Sequence, residues 1–188
     1  MGSDNFHMAD YPADVASEHR LADGRTVLIR PIRADDETEE QRFFAGLSDE
    51  AKSMRFMKFV GALNERLIHS FSHVDYEARM AFVCEHKGRI VGEARYSALP
   101  YERSCDFGIV IADDWHRSGI AGLLMDALIR HARAQGFDTM EGMVLRLNHP
   151  MLKFVRALGF ELLPLPLDPT LVQVLKSLRP VGETIHSL

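Results

Sequence analysis

The feature that most constrains this chain is an abrupt change of hydrophobic period across residues 113–122. Upstream, Phe107 to Ile111 is a continuous run of small and apolar residues, the pattern of a buried strand. Downstream, Ile120, Leu123, Leu124, Ala127, Leu128 and Ala132 recur at i, i+3, i+4 and i+7, the pattern of one helical face. Between them lie His116, Arg117, Ser118, Gly119, Ile120, Ala121 and Gly122, where the first unpaired N–H groups of a helix would point outward. Those donors and the positive end of the helix dipole suit a phosphate or diphosphate, with Arg117 adding charge and the small residues admitting a ligand close to the backbone. A plain strand-to-helix turn, with small residues for packing, is the alternative reading. Neither a P-loop nor a Gly-x-Gly-x-x-Gly turn after a strand is present.

The 188 residues suffice for one domain with a substantial core, and 46% hydrophobic with 26% charged residues is an ordinary globular balance. A net charge of −5 gives no basic footprint for nucleic acid, and no apolar run has the length of a membrane span. Cys84 and Cys105 are too few for a disulfide framework, and Cys84-x-His86 has no second pair at ligand spacing, so no metal is expected. Residues 1–20 lack an apolar signal-peptide core; we expect a poorly ordered start, partly an expression scar (Met1 to Asp4, then Met8), and a cytoplasmic protein. Residues 179–188 read as a tail.

The Asp23-Gly24 turn precedes a strand from Thr26 to Ile32. Helices are expected from Asp35 to Leu47, from a Ser48 cap, and over residues 64–72. Met80–Glu85 and Ile90–Tyr96 flank a glycine turn and read as a hairpin. A strand over 105–112, the long helix to Gly136, a strand over 139–147, a helix from Asn148 to Leu158 and strands over 160–163 and 170–175 complete one mixed α/β domain.

Residues 116–121 resemble the diphosphate loop of the GNAT acyl-CoA-dependent acyltransferases, Gln/Arg-x-x-Gly-x-Gly/Ala, with His116 at the first position. Val144 to Met151 is similar to the GNAT strand that ends in Asn before the last helix, and Leu158-Gly159-Phe160 to the close of that helix. Ile29 to Ile32 after an Asp-Gly turn, Leu47 to Glu50, Arg55-Phe56 and Val74 to Tyr76 resemble the acetyltransferase domain of bacterial Pat-type protein-lysine acetyltransferases. The resemblance covers residues 20–178 and implies a GNAT fold: an α+β domain with a mixed, mostly antiparallel sheet flanked by helices, holding acyl-CoA in a V-shaped opening between central strands. It implies acetyl-CoA as acyl donor and an amine as acceptor, protein lysine or a small molecule. A homodimer is one assembly the sequence leaves open. A non-catalytic acyl-CoA sensor is the competing class.

Attack by an amine needs a base, because with a lysine pKa of about 10.4 roughly one amine in a few thousand is neutral at pH 7, a penalty of about 4–5 kcal/mol. The resemblance puts Asp106 where Pat-like domains carry a glutamate; Glu93 and Asp75 are reserves. It also implies that the Val110–Ala112 backbone pairs with pantetheine, that an N–H near Val110 stabilises the oxyanion, and that Asn148 bonds pantetheine, caps its helix, or both. Val155 stands where many GNAT enzymes have a tyrosine acid; Cys105 and Ser97 are candidate donors, better read as packing residues. His131 reads as a charge at a helix end and His149 as a loop residue. Met54, Met57 and Met80 read as core rather than a substrate channel.

Overall fold

The computed structural model describes residues 10–56, 65–100 and 103–179. Its strands, β1 (Ser17–Arg20), β2 (Thr26–Pro31), β3 (Arg79–His86), β4 (Arg89–Ala98), β5 (Ser104–Ile111), β6 (Thr139–Leu145), β7 (Glu161–Pro164) and β8 (Leu171–Ser177), follow the order β1-β2-β3-β4-β5-β6-β8-β7. The chain groups into two compact units, Met1–Ser97 with Gly108–Leu128, and Ala98–Phe107 with Ile129–Leu188. No helix among the described residues is long and apolar enough to cross a membrane.

The first unit begins with β1 (Ser17–Arg20) paired antiparallel to β2 (Thr26–Pro31). This strand corrects the expectation of an unstructured stretch up to residue 20; residues 1–9 lie outside the described part. Ser17, Glu18, His19 and Arg20 carry no apolar side chain, so β1 is held by its backbone ladder and by the Gly24 turn (φ +88°). Strand β2 pairs with β3 (Arg79–His86), and β3 with β4 (Arg89–Ala98), through a tight turn in which Lys87 and Gly88 both have positive φ. Helices α1 (Glu37–Gly46), α2 (Asp49–Phe56) and α3 (Glu65–Ser72) fall where the sequence places them. The Ser48 hydroxyl accepts from Ala51 N at 3.2 Å, which is the expected cap of α2. Phe43, Phe44 and Leu47 of the α1 segment pack with Ala81 and Val83 of β3 and with Val110. Met80 is fully buried, as expected of a core residue; Met57 lies outside the described residues.

In the second unit β6 (Thr139–Leu145) pairs with the first residues of β5 (Ser104–Ile111) in parallel, over Ser104↔Thr139 to Asp106↔Glu141 only. Along its whole length β6 pairs antiparallel with β8 (Leu171–Ser177), and β8 pairs in turn with β7 (Glu161–Pro164). The parallel pair needs a long crossover, which α4 (Ile120–Ala134) supplies. Helix α5 (His149–Ala157) runs between β6 and β7 and stops before Gly159, whose φ is +80°.

The first unit also buries a charge cluster. Arg95 donates from Nε to Glu93 Oε1 at 2.5 Å and from Nη2 to Glu40 Oε1 at 2.9 Å, while its guanidinium lies 3.8 Å over the Phe71 ring. Glu40 and Glu93 are 0% and 1% exposed, and the second oxygen of each meets no donor among the described residues. With two buried carboxyls against one guanidinium, one of them keeps its proton. Burial, then the charge of Glu93, pushes Glu40 well above the ordinary range. Burial also works to raise Glu93, but Arg95 outweighs it and holds Glu93 ionised.

A carboxyl that stays protonated when folded takes up a proton on folding, so it stabilises fully below the ordinary Glu range and less as pH rises. Glu40→Gln, which mimics the neutral acid, is therefore expected to remove a pH slope of up to about 1.4 kcal/mol per pH unit in urea-unfolding stability at neutral pH. An unchanged slope in the variant would contradict a proton kept on Glu40.

Candidate active site

Strand β5 ends where Ala112 N bonds Val91 O at 2.9 Å, and a 3-10 turn, Asp113–Trp115, follows. The chain then passes through Arg117 (φ +60°) and Gly119 (φ +93°) into α4. Both sit in the left-handed region, which an L side chain resists by roughly 1–2 kcal/mol. A Cβ added to Gly119 or Gly122 would meet nothing within 4 Å, so these glycines are not there for packing. Among the described residues no acceptor meets the N–H of Gly119 or Ala121. The first turn of α4 carries no acidic side chain to offset its dipole.

The turn is braced from several sides. Ser118 Oγ donates to Trp115 O at 2.6 Å. Asp113 accepts from Ser48 N at 3.0 Å and Ser48 Oγ at 2.7 Å, tying the turn to the start of α2. The Trp115 ring lies 3.7 Å from the Arg25 guanidinium and 5.0 Å from the His86 ring. His86 itself bonds Thr26 O at 2.7 Å, and Cys84 is buried with its thiol pushed up to about 12 by burial.

Not every residue expected at the loop offers a free group. Ile120 is fully buried and its N–H approaches Ser118 Oγ at 3.5 Å, while Gly122 N bonds Gly119 O at 3.1 Å. His116 Nε2 lies 3.2 Å from Ile111 O, so this histidine closes the end of β5. The Val110 side chain is buried in the core, Ile111 is half-buried, and the Arg117 side chain is exposed. The loop's open elements are thus the N–H groups of Gly119 and Ala121 and the Arg117 side chain.

The second unit holds the other expected residues. Asp106 is exposed on β5, and its partner across the parallel ladder is Glu141, which accepts from Gln173 Nε2 at 3.1 Å. Directly paired residues project from the same face, so two carboxylates stand side by side. Glu141 was missed from sequence because the β5–β6 register could not be read there. Asn148 Oδ1 accepts from Met151 N at 3.1 Å and caps α5. Val155 is fully buried, which makes the tyrosine position a core position. Cys105 is buried, its thiol directed at Thr139 O at 3.7 Å and pushed up to about 12 by burial. His131 is buried at 9% rather than exposed at the helix end, because it falls on the apolar side of α4 beside Ala127 and Ala132. His149 is exposed.

The reserve carboxylates have other work in the first unit. Glu93 is enclosed with Arg95, and Asp75 accepts from Glu77 N at 3.0 Å and Arg79 N at 2.8 Å to shape the turn before β3. A small pocket in this unit is lined by Phe71, Val74, Arg79, Met80, Arg95 and Ser97.

A model of the acetyltransferase (GNAT) family matches residues 35–160, about two thirds of the chain, and the chain belongs to that family. It is 36% identical over 144 residues to the acetyltransferase PA5475 of Pseudomonas aeruginosa, covering 74% of this chain and 77% of that one. The GNAT domain of S. lividans PAT superposes with a TM-score of 0.82 at 24% identity, over 89% of this chain and 99% of that domain. An N-acetyltransferase from Staphylococcus aureus superposes at 0.66 with 19% identity, over 81% and 99% of the two chains. Half of a cAMP-binding acyltransferase from Mycobacterium smegmatis (50%) matches 91% of this chain, at 0.59 with 21% identity. These likenesses make the fold a GNAT fold and the chain a GNAT-type acetyltransferase.

Gly24 and Gly119 share positive φ and open surroundings, which separates strain from ligand contact. Replacing either by Val is expected to cost roughly 1–2 kcal/mol of stability. Only Gly119→Val is expected to weaken acetyl-CoA binding, by about tenfold or more in calorimetry, equivalent to about 1.4 kcal/mol. Unchanged affinity in Gly119→Val would remove the loop from the binding site.

Proposed function

We propose that this chain moves an acetyl group from acetyl-CoA directly to a primary amine, with a protein lysine as the preferred acceptor. The observation that carries the reading is the turn into α4, where the N–H groups of Gly119 and Ala121 and the Arg117 side chain are open beside glycines that crowd nothing. Donors of that kind at a helix start suit the diphosphate of coenzyme A. The protein-lysine preference rests on the Pat-type resemblance and on the fold shared with the S. lividans PAT domain.

In this reading Asp106 accepts the proton of the incoming ammonium, directly or through water, and Glu141 beside it helps hold that cation. The freed amine attacks the thioester carbonyl carbon, a main-chain N–H near Val110 stabilises the oxyanion, and as the carbon–sulfur bond breaks the adduct nitrogen gives up its remaining extra proton to the departing thiolate or to water. A thiol with pKa about 8.5 leaves as thiolate without a tyrosine donor, consistent with Val155 in the core. Glu93 is assigned to holding Arg95 rather than to proton transfer. Asn148 caps α5 and contacts pantetheine. No metal takes part in this chemistry, and neither nucleic acid nor membrane is a partner. The donor is an intracellular metabolite, so we place the protein in the cytoplasm.

A second reading, a non-catalytic acyl-CoA sensor, draws on Val155 and on aspartate at the base position. A thiol-release assay separates the two. Asp106→Ala is expected to lower kcat by about 10²- to 10⁴-fold with acetyl-CoA affinity unchanged, and Glu141→Gln to raise the amine KM with a smaller effect on kcat. Full turnover in Asp106→Ala at every pH would end the base assignment. No product with any peptide or small amine would favour the sensor.

A further inference from the structure

Away from the acyl-transfer residues, three side chains from two helical segments of the first unit converge with the composition of a metal site. His69 lies in the last turn of α3 and His73 immediately after it, where His73 N still bonds His69 O at 3.2 Å. Their four-residue spacing places both rings on one side of the helix, with centroids 3.8 Å apart and planes 28° from parallel. Glu37, the first residue of α1, brings Oε2 to 2.9 Å from His69 Nδ1. One ligand atom from each of Glu37, His69 and His73 falls within 4.8 Å of the others.

We propose that Glu37, His69 and His73 bind a divalent first-row transition-metal ion, with Zn²⁺ the best match. Two imidazoles and a carboxylate are a common ligand set for this ion, and ligand atoms in a tetrahedral zinc site stand about 3.3 Å apart. His73 Nδ1 lies 2.9 Å from the His69 carbonyl oxygen, a bond that puts the proton on Nδ1 and leaves the Nε2 lone pair for a metal. Ser72 Oγ, 3.2 Å from the same Nδ1, supports that ring orientation. The His69 side chain is 59% exposed and that of Glu37 31%, so an ion can enter and water can complete its shell. A bound ion would clip the start of α1 to the end of α3. This differs from the metal-free expectation for the acyl-transfer chemistry, and the two are independent.

The test is equilibrium dialysis of the full-length chain against ZnCl₂ with metal analysis, alongside thermal unfolding with and without zinc. Wild type is expected to bind one more equivalent than either His69→Ala or His73→Ala, and Glu37→Gln to bind it at least roughly tenfold more weakly. Zinc should raise the wild-type Tm and leave the histidine variants unmoved. His19→Ala, on β1, should behave as wild type. Circular dichroism checks that each variant folds, and Glu37→Gln stands in if a histidine variant does not. Equal stoichiometry and affinity in wild type and all three site variants, or no zinc bound by wild type, would overturn the proposal. Neither result bears on acetyl transfer, which is read by thiol release.

Discussion

The structure turns on how the backbone passes from β5 into α4. In the span from Ala112 to Ile120 the chain leaves a strand, makes a 3-10 turn and enters a fifteen-residue helix. It does so with Arg117 and Gly119 at positive φ. That path leaves helix-start donors unspent, and a buried polar backbone group with no partner is costly. Here the surroundings are open, so water or a ligand can take the donors. The braces at Ser118, Asp113–Ser48 and Trp115–Arg25 hold this arrangement before any ligand arrives. Donors held in place beforehand lose little freedom when a partner takes them.

A second constraint is electrostatic. Glu93 and Glu40 sit where water does not reach, with Arg95 between them only slightly exposed, and an unbalanced charge there would cost several kcal/mol. A proton retained on Glu40 reduces the cluster to one cation and one anion. The cluster bridges α1 and β4, two elements with no other charged tie of this depth among the described residues. Arg30 makes a parallel tie, donating to both oxygens of Asp36 at 2.6 and 2.7 Å and to Glu85 at 2.9 Å. Both arrangements use arginine's planar fork, which a lysine would not reproduce.

Much of this was legible in the residues. Apolar period gave β2 to β6 and α4, while Ser48, Asn148 and the glycines after α4 and α5 marked helix ends by their local chemistry. Strand β1 was missed because Ser17 to Arg20 is wholly polar, although the Asp23-Gly24 turn ahead of β2 already implied a partner on its other side. The path of the turn into α4 could be read because it depends on backbone freedom, which glycine and small residues announce. The carboxylates could not be sorted that way. Glu93 and Asp106 are both acidic strand residues, and only packing shows that one is enclosed with Arg95 while the other is exposed beside Glu141. His69-x-x-x-His73 was a visible helical spacing, but its meaning required Glu37, thirty-two residues earlier in sequence.

The most direct measurement is a ¹⁵N amide titration of the protein with coenzyme A and, separately, with pantetheine, which lacks the diphosphate. Saturable shifts at Gly119 and Ala121 with coenzyme A but not with pantetheine are the expected result. Resonances at both positions that stay fixed while coenzyme A binds elsewhere would contradict the account.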